Sequence, residues 1–126
     1  MITYTVVILG RLDNLNDYIN ACRCNRNKGN KVKEANQDIC KWHIKNQLRG
    51  VHIEKPVQIH FVWYEKNTKR DLDNVASFGQ KVIQDALVEC GVLKDDGWKC
   101  VTGFTHEFFI DQKNPRIEVT IECKDG

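Results

Sequence analysis

Two segments of the chain have an apolar side chain at every second position, and this pattern constrains the fold most strongly. In residues 57–64 (VQIHFVWY) every odd-numbered side chain is apolar, and residues 116–123 (RIEVTIEC) repeat the pattern. A period of two is typical of a β-strand with one buried face. The chain has 126 residues, which is the usual size of one domain. The sheet therefore needs helices from the same domain to cover its apolar face.

Two further segments predict strands. Residues 2–9 (ITYTVVIL) are rich in β-branched and aromatic side chains, and residues 100–110 also predict a strand. Residues 111–115 (DQKNP) have the composition of a turn. We therefore expect the last two strands to pair as an antiparallel hairpin.

The first half of the chain contains two helical patterns. Asp13 and Asn14 are candidate N-caps of the first, whose apolar stripe is formed by later residues. The second covers about residues 32–48. Residues 23–31, which are rich in Asn, Gly and basic side chains, predict a loop between them. The stripe of the first helix consists of Leu15, Tyr18, Ile19 and Cys22.

A third helix is predicted from Asn74 to Glu89, where Gly91 closes it. The predicted order is β-α(-α)-β-α-β-β. We expect an α/β (α+β) fold in which a small mixed sheet is packed with helices. Residues 1–126 form one domain in this prediction.

Composition excludes several classes of protein. The only serine, Ser77, lies inside a helical pattern, which argues against a Ser-His-Asp hydrolase. No apolar run approaches the roughly 20 residues that span a bilayer, and the start lacks the features of a signal peptide. We therefore expect a cytoplasmic protein with no membrane partner and reduced thiols, mostly in the core. The cysteines, which include no C-x-x-C pair, are Cys22, Cys24, Cys40, Cys90, Cys100 and Cys123.

Charge is divided unevenly along the chain. Residues 1–70 contain 13 Lys and Arg against 6 Asp and Glu, whereas residues 71–126 contain 6 against 11. A basic half beside an acidic half is expected when one surface binds a polyanion and another binds divalent cations. Chance segregation on a solvated surface is the alternative interpretation.

The first acidic pair follows two cations in the segment Lys69-Arg70-Asp71-Leu72-Asp73. Asp73 is suited to cap the third helix, which leaves Asp71 without a structural role. Neighbouring carboxylates repel each other unless a cation or a proton joins them. Mg²⁺ binds one or two carboxylates and keeps several waters. The segment indicates a metal site, and a helix cap beside a solvated charge is the alternative.

The second acidic pair, Asp95 and Asp96, follows the third helix. Because Asp96 precedes a glycine, a simple turn is one explanation. A helix of about 16 residues is about 24 Å long and separates the two pairs. They can meet only if residues 92–96 run back along the helix or if a second subunit contributes.

These residues resemble the RusA family of Holliday junction resolvases. The resemblance lies in Arg70-Asp71-Leu72-Asp73-Asn74, in Asp85-Ala86-Leu87 and in the segment 91–96 (GVLKDD). It covers residues 57–105 well and the N-terminal half more loosely. The family implies a homodimeric, Mg²⁺-dependent endodeoxyribonuclease of α/β fold from phages or prophages in bacterial hosts. It nicks four-way junctions in symmetric pairs, and Mn²⁺ is an expected substitute.

The resemblance also implies site residues. Asp71, Asp73 and Asp96 correspond to metal-binding carboxylates, and Asp95 is their neighbour. The family uses a lysine four residues after the second aspartate, where this chain has Ser77. Lys81 is the nearest lysine, and we expect it to have the catalytic role. No small-molecule cofactor is expected.

The basic residues form two groups in the sequence. One lies in the predicted loop and its flanks, and the other directly precedes Asp71. Lys and Arg in such positions are suited to bind DNA phosphates on either side of a metal site. The candidate DNA-binding residues are Arg23, Arg26, Lys28, Lys31, Lys69 and Arg70.

Two rival functions use other features. A non-catalytic DNA-binding protein that assists recombination would keep the fold without its chemistry. A nuclease of the restriction type would use Glu122 and Lys124 with an upstream acid such as Asp111. Holliday junction resolution is the function that the sequence favours.

Overall fold

The computed structural model describes residues 1–123 and confirms the two alternating strands. The strands are β1 (Ile2–Leu9), β2 (Val57–Glu65), β3 (Val101–Ile110) and β4 (Arg116–Cys123). In β2 and β4 every second side chain is buried. These two strands form the centre of a four-stranded mixed sheet with the order β1-β4-β2-β3. The α/β fold class is confirmed.

The predicted hairpin between the last two strands is wrong. β4 lies antiparallel between β1 and β2, whereas β3 pairs in parallel with β2 at the sheet edge. The connection 111–115 crosses the end of β2, where the Asp111 amide donates to the Glu65 carbonyl (2.7 Å). Strands two positions apart lie roughly 10 Å from each other, a gap that five residues can span. The strand with the more regular apolar face therefore occupies the centre.

The predicted loop at residues 23–31 is also wrong. Helix α1 (Leu15–Cys24) is followed, after Asn25 alone, by helix α2 (Arg26–Gln47). Asn25 is an N-cap whose side chain accepts from the Lys28 amide (2.8 Å). Gly29 is buried against α1, where an added Cβ would clash with Sγ of Cys22. Residues that are typical of loops thus serve here as a cap and a close contact.

Helix α3 (Leu72–Glu89) crosses β2 at a point of very close packing. A Cβ added at Gly79 would lie 2.6 Å from Cη2 of Trp63, whose side chain is 1% exposed. The predicted cap of Asn14 on α1 is confirmed by a capping box. The predicted cap of α3 by Asp73 is wrong, because the helix begins two residues earlier and Asp71 occupies the N-cap position.

A partly buried series of hydrogen bonds fixes α3 against the sheet edge. The Trp63 indole donates to Nδ1 of His106 (2.9 Å), and His106 Nε2 donates to Oε1 of Gln80 (2.8 Å). These bonds require a neutral ring, and burial lowers the pKa of His106, which favours that form. These hydrogen bonds link β2, β3 and α3, and they reach α3 at the residue before Lys81.

The cysteines are divided between core and surface. Cys40 and Cys123 are buried, as predicted, whereas Cys22 and Cys24 are exposed. The prediction that the thiols mostly fill the core holds for only part of the set.

The contact between Gly79 and Trp63 yields a stability prediction. Gly79→Ala should lower the free energy of unfolding by about 1–2 kcal/mol, because so short a contact with a buried ring puts the overpacking cost at about 2–3 kcal/mol, the upper part of the usual range, and the gain in helix propensity offsets about 1 kcal/mol. Urea denaturation measures this difference. Ser77→Ala, at an exposed position of the same helix, is the control and should change stability by less than about 0.5 kcal/mol. A Gly79→Ala variant as stable as the parent would contradict this packing.

Candidate functional site

The start of α3 presents two exposed carboxylates, Asp71 and Asp73, which we call the N-terminal pair. The helix is held in place by the burial of Val75 and Phe78, which leaves the pair on the solvent side. Asp71 occupies the N-cap position without a side-chain cap hydrogen bond. Within residues 1–123 neither carboxylate forms an ion pair or accepts a side-chain hydrogen bond. The positive end of the helix dipole favours these negative charges.

A second group lies two turns further along α3. The Lys81 ammonium contacts Oδ1 of Asp85 at 3.1 Å and Oδ2 of Asp96 at 3.1 Å, and we call these three residues the lysine cluster. The bond to Asp85, and then that to Asp96, raises the pKa of Lys81. Lys81 is therefore a fixed positive charge between two carboxylates.

The chain reaches this position by turning back after α3. Gly91 has a φ of 77°, a left-handed conformation that ends the helix with little strain. The amides of Val92 and Leu93 then donate to the Leu87 carbonyl. Asp96 consequently lies beside Lys81, so residues 92–96 run back along the helix as far as Lys81 but not to its start. Asp95 accepts from the Asp96 amide (2.8 Å) and so shapes the loop itself.

The two groups do not meet within one chain. Lys81 follows Asp73 by eight residues, which corresponds to about 12 Å along a helix. Within residues 1–123 no three His, Cys, Asp or Glu side chains gather to hold a metal ion. The structure thus brings Asp96 to Lys81 but does not bring it to Asp71 and Asp73.

The N-terminal pair offers carboxylate oxygens, the kind of donor that a magnesium ion takes. Mg²⁺ needs only one or two carboxylates and completes its shell with water and phosphate oxygens. Asp71 also borders an open cleft of about 480 Å³, which leaves room for those ligands. Asp96 is held by Lys81, so its participation requires that contact to change or a second chain to supply it.

The predicted DNA-binding residues fall into two kinds. Five are exposed and form no ion pair within the described residues, at the end of α1, the start of α2 and before α3. Their charges are therefore available to phosphates. The sixth, Arg70, is bonded inside the protein to Glu65 and to the Leu12 carbonyl. The five available cations are Arg23, Arg26, Lys28, Lys31 and Lys69.

The restriction-type alternative has no support from this geometry. Asp111 follows the strand position paired with Glu65, whereas Glu122 is paired with Gln58. About seven residues of strand, or roughly 23 Å, separate them. The Glu122 carboxylate contacts His60 (3.0 Å), and Arg116 lowers the pKa of Asp111 through a hydrogen bond. Lys124 lies outside the described residues.

The fold and site define a class of small α/β protein that combines unpaired carboxylates with a row of available cations. Such a combination is suited to chemistry on nucleic-acid phosphates. Residues 23–122 match the family described as Endodeoxyribonuclease RusA, and the chain belongs to this family. No curated protein matches the chain. The family consists of endonucleases that act on Holliday junction DNA. None of the helices in residues 1–123 is long and apolar enough to cross a membrane.

Asp85 is a site residue to which the sequence reasoning gave no role. Besides Lys81, it contacts Lys33 of α2 (3.7 Å) and accepts from Gln37 (3.4 Å). Its spacing of four residues from Lys81 on one helix is the signal that could have revealed it. Asp85 connects the lysine cluster to the helix that carries most of the available cations.

The lysine cluster yields a prediction that does not depend on activity. Asp85→Asn should lower the pKa of Lys81, because the bond to Asp85 is the largest cause of its rise. NMR titration of the lysine side chain measures this change. Asp38→Asn, which removes a partner of Lys41 instead, should leave Lys81 unchanged. An unaltered Lys81 titration in Asp85→Asn would show that the contact does not form in solution.

Proposed function

We propose that the protein is a Mg²⁺-dependent, structure-selective endonuclease that resolves four-way DNA junctions by paired, symmetric nicks in the bacterial cytoplasm. The proposal rests on two carboxylates at the start of α3, Asp71 and Asp73, which form no ion pair within residues 1–123 of a chain of the RusA family. The neighbouring cations provide the electrostatic attraction that any DNA substrate requires. Resolution of branched DNA in recombination and repair is the activity that follows.

The residues have separable roles in this chemistry. When bound, Mg²⁺ supplies a Lewis acid and lowers the pKa of a coordinated water; Mn²⁺ shares its preference for oxygen ligands. Asp71 and Asp73 would hold the ion. Lys81, kept charged by its two carboxylate partners, stabilises negative charge that develops on the phosphate. The available cations hold the DNA backbone and set its register.

The homodimer is part of the proposal because a junction contains two equivalent strands related by a two-fold axis. A C2 dimer supplies two sites with the same symmetry. Large apolar side chains also remain uncovered on α3 and on the edge strand β3. Such residues commonly mark an interface. They are Leu72 (54% exposed), Phe104 (52%), Phe109 (49%) and Ile110 (55%).

The separation of the acidic groups is a chemical reason for a dimer, in which carboxylates of two subunits would form one site. If α3 packs antiparallel to its copy across the two-fold axis, the N-terminal pair of one chain lies beside the lysine cluster of the other. Asp71 and Asp73 would then share an ion with Asp96 of the partner subunit. This arrangement accounts for the absence of a three-carboxylate group among residues 1–123 of one chain.

Substitution of single carboxylates tests the chemistry. Asp71→Asn, Asp73→Asn and Asp96→Asn should each abolish cleavage of a synthetic four-way junction in Mg²⁺. Junction binding should stay equal or become tighter, because a charge that repels phosphate is removed. Asp38→Asn, at an exposed position of α2, is the control and should cleave normally. A wild-type protein that binds the junction but never cuts it would instead favour the DNA-binding accessory role.

Mixing inactive subunits tests the shared site. A heterodimer of Asp71→Asn and Asp96→Asn chains should regain nicking, because one of its two sites then combines an intact Asp71 with an intact Asp96. A mixture of Asp71→Asn and Asp73→Asn is the matched control and should stay inactive, since both of its sites lack a carboxylate. Light scattering establishes the dimer in each mixture. No recovery in the first mixture, with an active wild type, would place Asp96 in the site of its own chain.

A further inference from the structure

Glu65 is a buried carboxylate at an inward position of β2. The preceding inward residues of this strand are all apolar, and Glu65 is only 7% exposed. A buried charge is strongly unfavourable unless it is paired and hydrogen-bonded. Its position at the end of β2, six residues before Asp71, connects this charge to the site.

Arg70 satisfies this carboxylate with both arms of its guanidinium. Nε donates to Oε1 at 2.9 Å, and Nη2 donates to Oε2 at 3.1 Å. Nη1 donates to the Leu12 carbonyl at 2.8 Å, in the segment between β1 and α1. Arg11 adds a longer contact to Glu65 at 3.4 Å. Each nitrogen of the Arg70 guanidinium therefore has a partner inside the protein.

The next residue along the chain is Asp71. Its carbonyl accepts the first hydrogen bond of α3, from the Val75 amide (3.1 Å). The N-terminal pair is thus fixed from one side by α3 and from the other by the contact of Arg70 with Glu65. The connection 66–70 would otherwise be an exposed, charged loop with few contacts to position the pair.

We propose that Glu65 is a positioning residue for Asp71 and Asp73, which acts through Arg70. Lys69, which is exposed and unpaired within the described residues, remains the phosphate-binding cation of this segment. Only the cleavage measurement rests on the proposed function.

Three variants separate positioning from DNA binding. Glu65→Gln keeps the shape but removes the charge, and Arg70→Lys keeps the charge but removes the two-armed contact. Both should lower the single-turnover cleavage rate at saturating junction by about tenfold to a hundredfold, the scale of a small misplacement. The junction Kd of Glu65→Gln should change less than about twofold, whereas Lys69→Ala should raise Kd.

Hydrogen exchange gives a second measurement without DNA or metal. In Glu65→Gln and Arg70→Lys the Val75 amide should exchange faster than in the parent, while the Val119 amide at the sheet centre is unchanged. Lys69→Ala should leave both unchanged. If the protein cleaves nothing, this result still tests the positioning role. If Glu65→Gln unfolds, which faster exchange at Val119 would reveal, Arg70→Lys decides.

Two results would overturn the inference. One is an unaltered exchange rate at Val75 in a folded Glu65→Gln variant. The other is a single-turnover cleavage rate in a folded Glu65→Gln variant that equals the rate of an active parent.

Discussion

The packing of α3 on β2 determines where every candidate catalytic side chain on that helix lies. Gly79 allows the helix to approach the Trp63 ring closely, and the chain from Trp63 through His106 to Gln80 fixes the helix at the same level. This level lies between the N-terminal pair and Lys81. A rigid helix then holds the two groups about 12 Å apart along its axis. The positions of the N-terminal pair and of Lys81 are therefore well defined, but the two groups are separated.

The separation of the N-terminal pair from the lysine cluster explains how a short chain can contain several carboxylates and remain stable. Asp71 and Asp73 face solvent at the favourable end of a helix dipole, so their mutual repulsion is partly offset. Asp96 lies against Lys81, whose positive charge offsets its own. Gathering all three carboxylates in one folded chain would concentrate negative charge without a cation. In a dimer with shared sites, the three carboxylates would come together only where a metal ion offsets their repulsion.

Local patterns predicted the parts of the fold that depend on local physics. The period of two in β2 and β4 identified both strands, and Asn14 was correctly read as a cap. The order of strands depends on which neighbours each strand finds, and the pattern of β3 does not contain that information. Asn25 and Gly29 were read as loop residues because their other uses, a cap and a close helix contact, require knowledge of the partner helix.

The same limit applies to the site. The residue types at 71, 73 and 96 indicate metal chemistry. Arg70 resembles a DNA contact in the sequence because its partners, Glu65 and the Leu12 carbonyl, are visible only in the fold. Asp85 belongs to the residues that carry the family resemblance, but the sequence assigns it no role because a charge on a helix is usually solvated. Its contact with Lys81 becomes informative only when Asp96 returns to the same lysine.

The central claim is that the N-terminal pair of α3 is a divalent metal site. Anomalous diffraction from a crystal soaked in Mn²⁺ tests it most directly, since the ion's position is observed without reference to activity. We expect a manganese peak within coordination distance of Asp71 and Asp73, joined by Asp96 of the partner subunit. A peak held by other carboxylates, or no peak at Asp71 and Asp73 at saturating Mn²⁺, would contradict the account.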